Sequence, residues 1–273
     1  MATVDKTVTE PATEAVTYER IGDVGVITLQ EGRLNLFTND SFLRLEEILH
    51  EIPTSGIRAL VLRSGAEHFS AGVNVEIFKD VSADEARAMF SRLLPNLTKL
   101  EDLPFPTISS VHGVCAAAGL ELSLGCDLIW AGESAMFVQI EAMIGAATFL
   151  GGAQRLAERA GSARAKEIVF TADLYDAATF ERWNIVNKVV PDAELWDQTL
   201  AFATRLAAGP TRAHAVTKRL VHSYLEDGIL TADREILDVA TRLFETEDMQ
   251  SNVRTLLEHG AKGQRERAQF EGR

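Results

Sequence analysis

Two glutamates in this 273-residue chain stand where a carboxylate has no local partner. In CAAAGLELSLG (115–125), the residues three and four positions from Glu121 are Ala117, Ala118, Leu124 and Gly125, so a helix would offer it no charge partner. In QIEAMIG, Glu141 has Ile140, Ala142 and Met143 beside it. A carboxylate so placed is either at the solvent edge or buried for a purpose, because desolvation penalises its ionised form. Two of them in apolar surroundings should have pKa values moved apart, one ionised as a base and the other protonated as an acid. Two loops add a second element. HFSAGVN (68–74) carries Gly72, which is free to turn backbone N–H groups outward, and the small residues of CAAAGLE allow close approach of a ligand. N–H groups converging from two such loops can form an oxyanion hole for the enolate of a thioester or similar carbonyl. The set suits adding or removing water, or moving a proton, next to a carbonyl. From the residues alone, an ordinary core loop and two surface glutamates fit equally well.

Other chemistries find little support. GxGxxG, the P-loop, HExxH and GxSxG are all absent from the sequence. The six histidines are scattered, and His112, the one near a candidate site, reads as structural at a strand end. Cys115 and Cys126 sit in apolar context without CxxC spacing, so they read as reduced core thiols and no metal site is expected. A net charge of −13 argues against nucleic acid or an acidic membrane as partner. No apolar run approaches the roughly 18–20 residues needed to span a bilayer, and the first residues lack a signal-peptide pattern. Export is not expected, and a cytoplasmic protein is.

The elements that must position these residues follow from periodicity and punctuation. TYERIGDVGVITL (17–29) reads as two strands joined at Gly22-Asp23, and Asn39 and Asp40 are good N-cap types for the amphipathic run that follows. RALVLRS (58–64) is suited to a strand covered on both faces. ADEARAMFSRLLPNLTKLEDL reads as a helix kinked or ended near Pro95, and PTISSVHGV (106–114) as a strand running into the CAAAGLELSLG helix. DLIWAG and MFVQIEAMIG follow as short strands, then helical segments and a strand-like IVNKVVP. Strands alternate with helices to about residue 190, and amphipathic helices punctuated by Gly209-Pro210 and Gly228 complete the chain. The expected class is α/β: a loose leader over 1–14, a core over 15–192 and a helical region over 193–273.

Four segments, in register, resemble the enoyl-CoA hydratase/isomerase (crotonase) superfamily. FSAGVNVEI is similar to its F-x-A-G-x-D-hydrophobic segment. VHGVCAAAGLELSLGCDLIWAGESAMF is similar to V-x-G-x-x-x-G-G-G-x-E-L-x-x-x-C-D. QIEAMIG…GGAQRL is similar to P-E-x-x-x-G…G-G-x-Q-R-L, and EIVFTADLYDAATFERWNIVNKVVP to the helix leading to G-L-V-N-x-V-V-P. The resemblance implies a spiral core of ββα turns and a C-terminal helical region that builds homotrimers or dimers of trimers. It implies oxyanion-hole N–H groups on Val73 and Ala118, and catalytic roles for Glu121 and Glu141. The substrate it implies is an acyl-CoA thioester, with coenzyme A carried by the substrate and no separate cofactor. Substrate contacts fall to Arg33, Leu34, Leu36, Ser70, Ala71, Asn74, Val75 and Phe149. For Arg33 a solvated loop arginine fits as well. Retention of both acids favours hydration of a trans-2-enoyl-CoA. A Δ3-Δ2 enoyl-CoA isomerase and an inactive binding or assembly protein are the alternatives. The departures are Asn74 for Asp, Ala116 to Ala118 for a glycine run, Thr148 for Pro, and Phe149 for a glycine beside the catalytic water. A ring at Phe149 is expected to alter the pocket's shape or the placement of water, and a cavity closed by it would favour the inactive alternative.

Overall fold

The computed structural model describes residues 14–273, so the expected leader, apart from Glu14, lies outside the described residues. Strands β1 (Val16–Ile21) and β2 (Val24–Leu29) pair antiparallel about the Gly22-Asp23 turn, where Gly22 takes φ 60°. Helix α1 (Asn39–Glu51) is capped by Thr38 rather than by Asn39 or Asp40. Thr38 is extended and exchanges hydrogen bonds with Ser41, which places it one residue outside the helix. Strand β3 (Ala59–Ser64) lies parallel between β2 and β4 (Thr107–Val111), and Ala59 to Leu62 are all at most 1% exposed, which accounts for its unbroken apolar run.

Helix α2 (Ala83–Glu101) runs through Pro95, so of the kink or end expected there the end does not occur. Proline removes one N–H donor. Against that loss stand the Ser82–Glu85 capping box and the burial of Leu93, Leu97 and Leu100 against the core. The segment 106–114 also differs from the single strand expected. It breaks at Gly113 (φ 58°), and the chain resumes as β5 (Val114–Ala116) in a second sheet. A side chain at Gly113 would lie 2.8 Å from the Glu67 carbonyl, so only glycine fits this crossing.

The short helix α3 (Ala118–Leu124), strands β6 (Leu128–Gly132) and β7 (Met136–Val138), and helices α4 (Gly152–Ala160) and α5 (Ser162–Thr171) follow. Then come β8 (Tyr175–Asp176), α6 (Ala177–Arg182) and β9 (Lys188–Val190). The main sheet has the order β1-β2-β3-β4-β6-β9, parallel after its first pair, and β5-β7-β8 form the second sheet. Strand alternation divides the core. Ile27, Leu29, Leu60 and Leu62 face the cluster that contains α1 to α6, and Val24, Val26, Ala59 and Val61 face Leu195, Ala203 and Ala207 of α7 (Leu195–Ala207). Helices α8 (Thr211–Asp227), α9 (Ile229–Val239) and α10 (Glu247–Arg267) complete an α/β fold with a helical C-terminal region. Lys218 of α8 reaches inward to Asp127 at 3.0 Å. Among the described residues no helix is long and apolar enough to cross a membrane.

Candidate active site

The two small-residue loops are stitched together by backbone. Ser70 N–H donates to the Val114 carbonyl at 3.2 Å, and Ala116 N–H donates to the Ser70 carbonyl at 2.8 Å. The Ser70 hydroxyl donates to the Asn35 carbonyl at 2.7 Å and accepts from Gly72 N–H at 3.1 Å, so this side chain holds the loop. Close approach demands glycine twice. A Cβ on Gly119 would stand 2.7 Å from Ser70 Cβ, and one on Gly72 would stand 2.9 Å from Ala117 Cβ and 3.6 Å from Ala118 N. Gly72 also has φ 99°. Among the described residues, no protein acceptor is hydrogen-bonded to the N–H of Val73 or Ala118. Ala118 opens helix α3, where first-turn N–H groups lack internal partners.

Ala117, the residue that turns the chain into this helix, has φ 46° and ψ −123°, a region that disfavours any Cβ. Such strain costs roughly 1–3 kcal/mol, against about 1 kcal/mol for the extra chain entropy of glycine. Ala117→Gly is therefore expected to stabilise the fold by about 1 kcal/mol in urea denaturation. A loss of stability would show that the turn is relaxed.

Helix α3 places Glu121, 2% exposed, one turn beyond Ala118. Its Oε1 accepts the N–H of Leu150 at 2.9 Å and of Gly152 at 2.8 Å. The donor loop is fixed in turn by Arg155, which donates to the carbonyls of Leu150 and Gly151, both at 3.2 Å, and pairs with Glu101 at 2.5 and 2.6 Å. Glu141, 8% exposed, opens the 3-10 turn Glu141–Ile144 after β7. With its amide nitrogen turned toward Glu141, the orientation that satisfies both groups, Gln139 donates to Oε1 at 3.0 Å and to Oε2 at 2.9 Å. Burial pushes the Glu121 carboxyl up from 4.5 to about 7, with the Glu141 charge adding to the rise against the two N–H bonds. Burial raises Glu141 as well. Both carboxyls therefore favour their protonated forms, and Glu121 holds its proton into the neutral range.

The sign of the stability effect follows. A carboxyl with a raised folded-state pKa favours folding fully below the unfolded value of 4.5, and that contribution is lost as pH rises through about 7. The difference amounts to an order of 3 kcal/mol when complete. Glutamine keeps the acceptor for Leu150 and Gly152 but never ionises. The melting temperature of Glu121→Gln minus that of the wild type should be near zero at ~pH 5 and several degrees positive at ~pH 8.5, at matched protein concentration. A difference that does not change with pH would contradict the burial argument.

Both carboxylates line one cavity of ≈ 320 Å³. It gathers the expected Leu36, Ala71, Val73, Asn74, Val75, Ala118 and Phe149. Three expected contacts lie outside it. Arg33 is exposed and paired with Glu67 at 2.6 Å, Leu34 is exposed, and the Ser70 hydroxyl is engaged within its loop. Asn74, in place of the family's aspartate, uses Oδ1 to accept from Glu76 N–H at 3.1 Å and so caps the 3-10 turn Val75–Phe78. The Phe149 ring does not close the cavity: it stacks on Phe90 at 4.4 Å. His112 bonds the Ala66 carbonyl at 2.8 Å, and both cysteines are buried and free.

The sequence alone points to no place in the site for Gln139, Leu150 or Gly152, nor for the wall residues Phe78 and Phe90. The visible signal for Gly152 is the GG pair of GGAQRL. Gly152 is a donor to Glu121, and a Cβ there would lie 2.5 Å from the Gln139 amide.

The sequence model of the family described as enoyl-CoA hydratase/isomerase matches residues 19–270. A probable enoyl-CoA hydratase of Mycobacterium tuberculosis is 30% identical over 91% of this chain and 96% of its own. The short-chain-enoyl-CoA hydratase of Clostridium acetobutylicum is 29% identical over 89% and 94%. The crystal structure of an enoyl-CoA hydratase subunit I from Geobacillus kaustophilus superimposes with a TM-score of 0.87 at 26% identity, covering 96% of this chain and 100% of that one. A family match across nearly all the described residues, on a fold shared at this level, leads to one conclusion: this chain belongs to the enoyl-CoA hydratase/isomerase family.

Proposed function

We propose that the protein is an enoyl-CoA hydratase, adding water across the 2,3 double bond of a trans-2-enoyl-CoA. The observation that carries this reading is the presence of both Glu121 and Glu141 on one cavity beside the unpaired N–H groups of Val73 and Ala118. The thioester oxygen accepts from those two N–H groups, and water sits between the carboxyl groups. One carboxylate takes a proton from the water as its oxygen bonds C3. The electron pair of the double bond moves onto the thioester as an enolate, which the two N–H groups stabilise. The protonated glutamate delivers its proton to C2, the enolate collapses, and a 3-hydroxyacyl-CoA results. Every proton in this sequence is supplied by water or a glutamate, so the reaction needs no cofactor beyond the coenzyme A of the substrate. An isomerase shuttling one proton needs one acid, and the second carboxylate on the same cavity favours hydration. Leu36, Ala71, Asn74, Val75 and Phe149 are proposed as walls of the acyl site. A homotrimer, or a pair of them, is supported by apolar side chains such as Leu230, Leu237 and Leu257 standing exposed on the C-terminal helices.

The direct test is loss of the conjugated-thioester absorbance of a trans-2-enoyl-CoA, offered with short and with bulky acyl groups. Turnover supports the reading. Folded protein that binds acyl-CoA and leaves the double bond of every such substrate intact would contradict it.

A further inference from the structure

The wall of the cavity beyond the carboxylates is built from aromatic rings. Phe78 ends the 3-10 turn Val75–Phe78, Phe90 lies on α2, and Phe149 lies on the loop whose next residue, Leu150, donates to Glu121. Phe90 and Phe149 stack with centroids 4.4 Å apart and planes 16° apart. Phe78 tilts against both, at 6.2 and 6.3 Å. Phe42 also reaches the cavity, stacked on Phe37 at 5.0 Å. Leu93, Ile140, Met143 and Ile144 complete this part of the wall. The polar side chains on the cavity are the two glutamates and Asn74, whose oxygen is engaged by Glu76 N–H.

Resting on the acyl-CoA reading above, we propose that the acyl group this site selects is an aryl-substituted one, a 3-arylpropenoyl thioester, rather than a short alkyl chain. Three physical arguments support it. Phe149 is 42% exposed and Met143 75% exposed at the cavity, so a ligand covers apolar surface that is otherwise in water. A volume of ≈ 320 Å³ is large for a four-carbon acyl chain, which would leave most of these walls uncovered. A flat ring can extend the Phe90–Phe149 stack or meet its edge, and aromatic pairs gain attraction beyond the area they bury. A flexible alkyl chain of similar area lacks that gain and loses more rotational freedom on binding.

The test is calorimetric binding of three unreactive saturated thioesters to the intact protein: butanoyl-CoA, octanoyl-CoA and 3-phenylpropanoyl-CoA. The phenyl ligand should bind at least about tenfold more tightly than butanoyl-CoA and severalfold more tightly than octanoyl-CoA. The preference over octanoyl-CoA should fall toward unity in Phe149→Leu and in Phe90→Leu, both of which keep an apolar wall. Octanoyl-CoA binding as tightly as the phenyl ligand, or a preference unchanged in both folded variants, would overturn the aryl assignment while leaving the hydratase reading intact. Absence of binding by all three would instead overturn the acyl-CoA reading and this inference with it.

Discussion

Glu121→Gln is expected to lower kcat for enoyl-CoA hydration by a factor on the order of 10²–10⁴, the range a positioned general acid or base contributes. The substitution is a clean one. Glutamine retains the oxygen that accepts from Leu150 and Gly152, so the loop carrying those donors stays in place and the change falls on proton transfer. Glu141→Gln is expected to fall in the same range, with the Gln139 contact reduced from two donated bonds. In the proposed reaction both groups act on one water and one enolate, so the double variant should be little slower than the worse single variant. Losses that multiply fully would mean that the two carboxylates act in separate steps.

Gly152→Ala has the second largest expected effect, although it adds one methyl group and no charge. That Cβ would stand 2.5 Å from the Gln139 amide, 2.9 Å from Glu121 Cγ and 3.2 Å from Glu121 Oε1. Both cavity carboxylates feel it, Glu121 directly and Glu141 through Gln139. Displacement of a reacting group by about 1 Å costs on the order of 10²-fold in rate, and overpacking costs about 1–3 kcal/mol of stability. The expected result is a kcat lowered by about two orders of magnitude, with a small decrease in the denaturation midpoint. A variant with wild-type turnover would show that this corner of the site is not constrained.

Much of this was legible in the residues. Glu121 and Glu141 were conspicuous because their neighbours are apolar, and the structure buries both on one cavity. The alternation of strand-like and helical runs gave the α/β class, and RALVLRS was recognisable as a strand covered on both faces. What was not legible depends on tertiary contacts. Pro95 marked a kink or an end of the helix, but α2 continues past it with Leu93, Leu97 and Leu100 buried. The segment 106–114 looked continuous, yet Gly113 sends the chain into a second sheet. Arg33 and Ser70 are of suitable type for a ligand, and only the fold shows them engaged by Glu67 and by the loop backbone. Phe78, Phe90 and Phe149 lie on three separate segments, so no window of sequence places them together. Phe149 signalled an altered pocket, and its stacking on Phe90, which makes it a wall, is set by the fold.

The measurement that tests hydration by this pair most directly is isotopic. Crotonyl-CoA is incubated with the protein in heavy water, and the product is read by mass spectrometry and proton resonance. The account predicts 3-hydroxybutanoyl-CoA with a deuterium at C2, delivered by the glutamate acid, and none at C4. Deuterium at C4 without a hydroxyl at C3 would mean that the two glutamates move a proton along the chain instead of adding water.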